Sequence, residues 1–488
     1  MNTSMIRYIL GQILRLQSVF LLLPSITAVI YKEDTFISYI SVAFSCFVLG
    51  SVMTWKKPDD TVFYLKEGCV ATALSWIVLS LSGSIPFILT GEIPHFTDAL
   101  FETVSGFTTT GSSILSDVEA LSYSSLMWRS FTHWIGGMGV LVFLLAVIPM
   151  SGGSNINLMK AESPGPSVGK LVPKIRSTAR ILYMIYIGLS IIMFLLLLVG
   201  KMPAFDALAT TFGTAGTGGF GIKNNSMAGY SHYIQWVVTV FMLLFGVNFN
   251  AYYLILFLDV KKAFKIEEVK WYFTIILLSA FVIFTDLMQF YPSLGDAVRD
   301  SFFQVASIIT TTGFATADFN TWSATSKTTL VLLMFIGACA GSTGGGLKVS
   351  RLMILVKTIF KELTSYLHPK SIVKIKMDDK PIEHEVVRSA NVYFITYMII
   401  FVVSSFCLTF ENIDLISIFT AVAATFNNIG PGLELVGPTA NFGHFSDFSK
   451  YVMMFDMLAG RLELFPLLML FHPELWKETI NRKLKNDN

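Results

Sequence analysis

Long apolar segments separated by short polar ones run through the whole chain of 488 residues. A helix that crosses a membrane needs ~20 predominantly apolar residues. Ten segments reach about that length: 9–30, 36–54, 69–90, 125–149, 181–200, 233–259, 272–291, 327–347, 391–410 and 448–472. Four further apolar pieces are too short to cross: 98–111, 206–218, 300–313 and 414–430. The pattern predicts an all-α integral membrane protein with ten transmembrane helices and four re-entrant pore loops.

The composition agrees with a membrane protein. Hydrophobic residues make up 53% of the chain and charged residues only 14%, whereas a soluble protein carries about 25% charged residues. The net charge of +2 gives no reason to expect a nucleic-acid partner. The four cysteines lie in apolar stretches without metal-ligand spacing, so they are interpreted as small core residues. The first apolar run lacks a small-residue cleavage site, which predicts a retained span.

The lysine and arginine residues predict the orientation of the chain. With the N-terminus in the cytoplasm, the cytoplasmic segments are 55–68, 150–180, 260–271, 348–389 and 473–488. Together with Arg7 and Arg15 these segments hold 27 of the 35 Lys and Arg residues, as the positive-inside rule requires. We therefore expect both termini in the cytoplasm and all four short segments entering from the outer side.

One four-residue string occurs twice, as Thr108–Gly111 and as Thr310–Gly313, each time after a similar apolar run. The second and fourth short segments carry divergent versions, Thr214–Gly221 and Ala424–Gly432. The aligned glycines are Gly111, Gly218, Gly313 and Gly430, although counting from Asp206 gives Gly219 in place of Gly218. Regular self-similarity predicts one structural unit used four times, and four helix–pore–helix units can close a ring around one central path.

The glycine and threonine strings suit the binding of a cation by main-chain oxygens. Glycine permits left-handed or extended backbone, and carbonyl groups that face a cavity can replace the hydration shell of a cation. The absence of acidic residues at these positions favours a monovalent cation. The predicted filter positions are Thr109, Thr110, Gly111, Gly216, Thr217, Gly218, Thr311, Thr312, Gly313, Asn428, Ile429 and Gly430. The alternative is a membrane loop or tight helix crossing with no ion role.

Other polar residues near the predicted pore have simpler interpretations. An aspartate lies near the start of each short segment: Asp98, Asp206, Asp300 and Asp414. Aspartate is a preferred N-cap residue, so helix capping is the first interpretation and attraction of cations is the alternative. We interpret His133 as a buried hydrogen-bonding residue rather than a proton relay.

The eighth span is interrupted by glycines, and an arginine lies inside the tenth span. Consecutive glycines at 344–346 disfavour a helix by ~1 kcal/mol each relative to alanine, so helix, flexible loop, helix is predicted. A guanidinium at membrane depth is costly and marks a pathway by default. The candidate gate residues are Gly341, Gly344, Gly345, Gly346, Lys348 and Arg461. A structural ion pair of Arg461 with Glu463 or Asp456 is the alternative.

The four units, the TTTG strings, the break at 341–346 and the Gly-Arg-Leu-Glu sequence at 460–463 resemble the Trk/Ktr/HKT superfamily of potassium transporters. The two extra N-terminal spans are similar to those of its bacterial TrkH/TrkG branch. The resemblance implies potassium uptake across the bacterial cytoplasmic membrane, with K⁺ as the transported ion and no organic cofactor. The four aligned glycines match those that accompany potassium selectivity in the family, whereas Asn427–Ile429 depart from the threonine-rich pattern.

The resemblance also implies partners and a gate. Family members form homodimers with one pore per protomer and bind a cytosolic, nucleotide-binding regulatory subunit of the TrkA type. Residues 348–389 and the C-terminal tail are the expected contacts with that subunit. The intramembrane loop of the family corresponds to 337–348, and its sub-filter arginine corresponds to Arg461.

The chain divides into an N-terminal pair of spans and four pore repeats. The boundaries are 1–60 for the pair, 61–150 for repeat 1, 151–260 for repeat 2, 261–388 for repeat 3 with its broken second helix, and 389–488 for repeat 4 with the tail. A sodium-coupled, Ktr-like transporter is the alternative within the superfamily. An unrelated secondary transporter is disfavoured because its inverted repeats would enter from opposite sides. An enzyme is not expected, because the sequence shows no catalytic cluster of His, Asp or Glu.

Overall fold

Long helices dominate the structure, a computed structural model that describes residues 1–58, 64–139, 175–257, 260–371, 373–475 and 477. Six helical stretches are long and apolar enough to cross a membrane: Thr3–Tyr31, Phe36–Thr54, Leu65–Leu89, Ala179–Val199, Glu267–Leu287 and His384–Glu411. A seventh candidate is the pair His232–Phe245 and Phe249–Leu256, which is bent by 92°. These stretches coincide with seven of the ten predicted spans, so the predicted class of helical membrane protein holds.

The elements have the following bounds. The α-helices are α1 Thr3–Phe20, α2 Leu22–Tyr31, α3 Phe36–Thr54, α4 Leu65–Leu89, α5 Phe96–Phe107, α6 Tyr123–Gly137, α7 Ile175–Val199, α8 Ala204–Ala215, α9 His232–Phe245, α10 Phe249–Phe257, α11 Val260–Ala263, α12 Glu267–Leu287, α13 Leu294–Ile309, α14 Ala324–Ile336, α15 Val349–Leu367, α16 His384–Leu408, α17 Leu415–Phe426, α18 Asp447–Arg461 and α19 Phe465–Met469. Short 3₁₀ turns cover Phe319–Thr321, Thr409–Glu411 and Glu434–Val436. Strands β1 Lys376–Met377 and β2 Lys380–Pro381 form a small antiparallel hairpin between α15 and α16.

The other three predicted spans have different outcomes. Residues 140–149 of the fourth span lie outside the described residues, as do most of the predicted cytoplasmic segment 150–180 and residues 478–488. The eighth span is helix, loop, helix, as predicted, with α14 and α15 on either side of 337–348. The tenth span was wrongly predicted as continuous, because Glu463 and Leu464 adopt φ angles of 60° and 63° after α18. Left-handed residues cannot continue a right-handed helix.

One local arrangement recurs four times, and we call its copies units one to four. A long helix (α4, α7, α12 or α16) precedes a short helix (α5, α8, α13 or α17), which is followed by a non-helical segment and then by a helix that begins after a serine. The hydroxyl oxygen of that serine accepts a hydrogen bond from the N–H three residues later, which satisfies a free donor of the first turn. The four N-cap serines are Ser122, Ser231, Ser323 and Ser446.

The N-terminal helices α1 and α3 approach each other through two glycines. A Cβ atom built on Gly50 would lie 2.6 Å from the carbonyl oxygen of Gly11, so a larger residue would push the helices apart. Gln17 of α1 donates from Nε2 to the carbonyl oxygen of Leu79 in α4 at 3.1 Å. This buried bond attaches the N-terminal pair of helices to unit one.

Candidate functional site

The segments that follow the four short helices share one backbone conformation. Each contains a non-glycine residue with a left-handed φ between 53° and 58°: Thr109, Thr217, Thr311 and Asn428. Two residues later comes a glycine with φ between 71° and 101°: Gly111, Gly219, Gly313 and Gly430. Non-glycine residues in the left-handed region are uncommon and cluster at functional positions. The fourfold repetition therefore marks these segments as the candidate site.

The predicted register of the second segment is wrong by one residue. In unit one, the residue before the aligned glycine, Thr110, donates its N–H to the carbonyl five residues earlier at 2.9 Å. The matching donor in unit two is Gly218, also at 2.9 Å, so the aligned glycine is Gly219. We call the three residues from the left-handed position to the aligned glycine a triplet. The triplet of unit two is therefore Thr217–Gly219, and Gly216 is the C-cap residue of α8.

The four aligned glycines close a ring. A Cβ atom built on each of them would collide with the carbonyl oxygen of the residue that precedes the aligned glycine in the next unit. The distances are 2.0 Å from Gly111 to Gly218, 1.8 Å from Gly219 to Thr312, 2.1 Å from Gly313 to Ile429, and 2.9 Å from Gly430 to Thr110. The contacts run from unit one to two, three, four and back to one. A glycine is needed at these positions both for its φ angle and for its lack of a side chain.

A polar cavity opens onto this ring. Its lining includes all four aligned glycines, so each unit contributes to one shared space. The remaining walls come from residues that follow the glycines, among them Ser112, Phe220 and Pro431, from Arg129 and from the loop 436–442. The geometry therefore presents main-chain groups of four units to a single compartment.

Threonine hydroxyls brace the first and third segments in the same way. The Oγ1 atoms of Thr108 and Thr110 lie 2.8 Å apart, and those of Thr310 and Thr312 also lie 2.8 Å apart. In unit four, Asn428 stands at the left-handed position that Thr109 and Thr311 occupy in units one and three, and it donates from Nδ2 to Oγ1 of Thr110 at 2.9 Å. The departure from the threonine-rich pattern thus creates a hydrogen bond between units four and one.

A buried ion pair beside the ring was missed by the sequence analysis. Nη2 of Arg129 lies 2.7 Å from Oε1 of Glu102, and both side chains are buried. Glu102 also accepts the N–H of Ile114 at 3.0 Å, while Arg129 donates to the carbonyl oxygen of Gly221 at 3.1 Å and covers the ring of Phe220. The pair therefore ties the segments of units one and two together. Its only signal in the sequence is two opposite charges in neighbouring apolar segments.

His133 is a buried hydrogen-bonding residue, as predicted. Its Nδ1 lies 2.8 Å from the carbonyl oxygen of Gly106, and its Nε2 accepts the N–H of Phe220 at 3.2 Å. Since a carbonyl oxygen can only accept, the proton of the neutral ring lies on Nδ1. The side chain thereby joins the end of α5 to the segment of unit two.

Only one of the four aspartates is the helix cap that was predicted. Asp414 accepts the N–H of Ser417 at 2.8 Å and caps α17. The other three lie within their helices and bind side chains of residues outside those helices. Those contacts are Asp98 with Lys450 at 2.6 Å, Asp206 with Tyr230 at 2.8 Å, and Asp300 with Thr316 at 3.0 Å. Capping is therefore the wrong interpretation for these three residues.

The loop 337–348 packs directly against the third and fourth segments. The N–H of Gly345 donates to Oγ1 of Thr311 at 2.6 Å. A Cβ atom built on Gly345 would lie 2.4 Å from the carbonyl oxygen of Asn427. Because no side chain fits there, the loop reaches the backbone of the ring through its glycines.

The charged end of the loop is held inside the protein. Lys348 is buried and has a φ of 77°, and its Nζ donates to the carbonyl oxygen of Gly344. Gly341, with a φ of 68°, accepts the N–H of Phe249 at 3.1 Å. The predicted gate residues of the loop, which run from Gly341 to Lys348, therefore lie together between α10 and the ring.

Arg461 bridges the loop and α6. Its Nη1 donates to the carbonyl oxygen of Thr343 at 2.9 Å, and its Nη2 donates to those of Gly136 and Gly137, the latter at 2.8 Å. The two acidic residues considered as ion-pair partners bind other side chains. Glu463 pairs with Arg351, and Asp456 accepts from Oγ of Ser404 at 2.6 Å. Arg461 therefore connects units one, three and four through main-chain oxygens.

The apolar helices and the ring define a multi-pass helical membrane protein whose four repeated units meet at one polar cavity. A family model described as TrkH, cation transport protein, matches residues 38–483. The chain therefore belongs to the TrkH family of cation transport proteins. The resemblance inferred from the sequence motifs is confirmed.

Characterised relatives are similar to this chain along its whole length. The Trk system potassium uptake protein TrkH of Salmonella typhimurium is 34% identical over 486 residues, covering 98% of this chain and 100% of that protein. The Trk system potassium uptake protein TrkG of Escherichia coli K12 is 32% identical, with coverages of 98% and 100%. The crystal structure of the potassium transporter TrkH from Vibrio parahaemolyticus matches with a TM-score of 0.88 at 33% identity, covering 98% of this chain and 100% of that one.

Proposed function

We propose that this chain takes up potassium across the bacterial cytoplasmic membrane through a path enclosed by the ring of four segments. The relatives described above are named potassium uptake proteins. The observation that carries the proposal is the closed ring, in which the glycine of each unit abuts a carbonyl oxygen of the next. A closed ring supports the proposal because it brings equivalent main-chain oxygens of four units together, and such oxygens can replace the water of a bare cation.

The selectivity filter consists of four triplets: Thr109–Gly111, Thr217–Gly219, Thr311–Gly313 and Asn428–Gly430. A single residue separates the end of each of the helices α5, α8, α13 and α17 from its triplet. The C-terminal end of a helix carries a partial negative charge, so four helix ends favour a cation at the ring. A monovalent cation held by neutral oxygens needs no carboxylate in the triplets, and they contain none.

The full topology in this proposal has ten membrane-spanning segments and four re-entrant ones. Units one to four correspond to the predicted repeats 61–150, 151–260, 261–388 and 389–488, and residues 1–60 form the additional N-terminal pair. Both termini lie in the cytoplasm, because that orientation places most Lys and Arg residues inside. The short helices α5, α8, α13 and α17 then enter from the outer side and end at the filter.

The loop 337–348 and Arg461 form the gate on the cytoplasmic side of the filter. The contact of Gly345 with Thr311 supports this role, because the loop reaches the filter itself. Arg461 binds the loop at Thr343 and adds a positive charge that opposes the passage of a cation. Displacement of the loop would have to break both contacts.

The chain acts as a homodimer and is controlled by a cytosolic, nucleotide-binding regulatory subunit of the TrkA type. The relatives belong by name to a Trk system, and the segment 348–389 offers a surface for such a subunit. The last turn of α15, which precedes the hairpin β1–β2 in the chain, exposes Tyr366 at 85% and Leu367 at 76%. Exposed apolar side chains beside basic residues are typical of an interaction site.

Potassium-dependent growth of an uptake-deficient bacterial strain tests the proposed function. Expression of this chain should restore growth at low potassium concentration, and co-expression of a regulatory subunit should change the uptake rate. Absence of rescue by a chain that reaches the membrane would overturn the proposal. A sodium-coupled, Ktr-like mechanism is the second candidate, and uptake that ceases when external sodium is removed would favour it.

A further inference from the structure

We propose that Glu268 is a positioning residue whose buried carboxylate holds the loop 337–348 against the ring. The inference rests on the proposed function, in which this loop closes the potassium path. Glu268 is the second residue of α12 and lies outside the triplets, the loop and the arginine discussed above. Only 5% of its surface is exposed.

The carboxylate of Glu268 accepts three hydrogen bonds from three different elements. Its Oε1 accepts the N–H of Ala340 in the loop at 2.6 Å and the N–H of Ser350 in α15 at 3.2 Å. Its Oε2 accepts Nδ2 of Asn248, in the bend between α9 and α10, at 3.2 Å. One side chain therefore connects units two and three on both sides of the loop.

The chemistry of the donors explains why a carboxylate occupies this position. Ser350 lies in the first turn of α15, where backbone N–H groups have no partner within the helix. A negative charge near a helix N-terminus is also stabilised by the helix dipole. The N–H of Ala340 would otherwise be a buried and unsatisfied donor. Glu268 thus fixes the loop at Ala340 and the start of the helix that follows it.

The first turn of α12, which carries Glu268, is itself held in place by two contacts of Glu267. The neighbouring residue Glu267 pairs with Nζ of Lys357 at 2.6 Å, and its N–H donates to Oδ1 of Asp378 at 2.7 Å. Asp378 lies in the turn of the hairpin β1–β2. The first turn of α12 is therefore fixed to α15 and to the hairpin, so the carboxylate can restrain the loop.

Glutamine is the informative replacement for Glu268. It keeps the shape of the side chain but removes the charge, and hydrogen bonds to a charged acceptor are roughly twice as strong as neutral ones. It also replaces one oxygen by an NH₂ group, which cannot accept the bonds that this oxygen receives. We therefore expect E268Q to release the loop while leaving the packing of α12 intact.

The loop contains a native reporter for this experiment. Cys339 is fully buried next to Ala340, and the other three cysteines can be replaced by alanine. The rate at which a water-soluble thiol reagent modifies Cys339 in the reconstituted full chain then reports opening of the loop. We expect E268Q to raise that rate by about tenfold, because bonds to a charged acceptor are weakened. E268D, which keeps the charge, should lie between E268Q and the parent.

The matched control is E385Q, which removes a carboxylate that is 78% exposed and 3.6 Å from Arg388. If E268Q and E385Q give the same Cys339 modification rate in folded protein, the proposal is overturned. Asn248→Ala is measured in parallel, because it removes one donor to Glu268 and the acceptor of the N–H of Asn250 but leaves the carboxylate and its charge near Cys339 in place. We expect it to raise the rate about threefold, and an unchanged rate would equally overturn the proposal. Because the readout needs no potassium, failure of the proposed function would be seen separately, in the growth assay.

Discussion

Replacement of Gly219 by alanine tests the ring and its corrected register together. A Cβ atom at this position would lie 1.8 Å from the carbonyl oxygen of Thr312. An ordinary van der Waals contact begins at 3.4 Å, so the oxygen must move by about 1.6 Å. The closest neighbours are main-chain atoms of the next unit, which cannot rotate away as a flexible side chain would. The substitution should therefore displace one oxygen of the proposed filter.

The expected loss of selectivity follows from that displacement. We take the loss of one oxygen ligand to be comparable to the loss of a hydrogen bond with a charged group, on the order of 1.5–3 kcal/mol. Since ~1.4 kcal/mol corresponds to a factor of ten, the preference for potassium over sodium should fall about 10-fold to 100-fold. Potassium and sodium uptake into proteoliposomes that contain the purified chain measure this preference.

The chain offers a matched control for the strain of the backbone. Gly91 has a φ of 76°, close to the 71° of Gly219, but a Cβ atom on Gly91 would meet nothing within 4 Å. Gly91→Ala therefore carries a similar conformational cost, ~1–2 kcal/mol, without the collision. Selectivity of Gly219→Ala equal to that of Gly91→Ala would refute the assignment of Gly219 to the filter.

Three further predictions concern the gate and the ion pair beside the ring. Arg461→Gln should raise basal potassium flux several-fold in the absence of a regulatory subunit, whereas reduced flux at a normal protein level would indicate a purely structural role. Deletion of residues 344–346 should give uptake that no longer responds to the regulatory subunit; retained regulation would exclude the loop as the gate. Arg129→Met should lower the free energy of unfolding by ~3–5 kcal/mol, because it leaves the carboxylate of Glu102 buried without its partner. Thermal melting checks this, and a second substitution, Glu102→Gln, should restore part of the loss.

The sequence predicted the repeated architecture because repetition is a property of residue order. The aligned glycines of units one, three and four could be placed from their neighbouring residues. The register of unit two could not, because Gly218 and Gly219 are adjacent and both satisfy the pattern. The hydrogen bond from Gly218 to the end of α8 and the left-handed φ of Gly219 distinguish them. Chemical identity cannot separate two consecutive glycines, whereas backbone geometry can.

Other features were hidden because they depend on contacts between distant residues. The sequence marks the end of α18 only through Pro466, the second residue of α19, since the left-handed Glu463 and Leu464 belong to types that favour helix. The pairing of Arg129 with Glu102 joins two segments whose proximity follows only from the packing of α5 against α6. Likewise, the sequence around Glu268 indicates only an ordinary acidic residue in the first turn of a helix. Its role becomes visible only when the loop is placed beside it.

The fourfold symmetry of the ring is a symmetry of the backbone rather than of the side chains. The side chains at the left-handed positions make different contacts. Oγ1 of Thr311 accepts a hydrogen bond from the loop, whereas Nδ2 of Asn428 donates one to Thr110 in unit one. At the next position, the hydroxyl of Thr110 has no counterpart in Gly218 or Ile429. Side-chain oxygens therefore cannot supply four equivalent ligands, whereas the carbonyl groups before the aligned glycines occur in all four units. This difference supports the proposal that ion selection is a property of the main chain, and it explains why Asn428 and Ile429 are compatible with a closed ring.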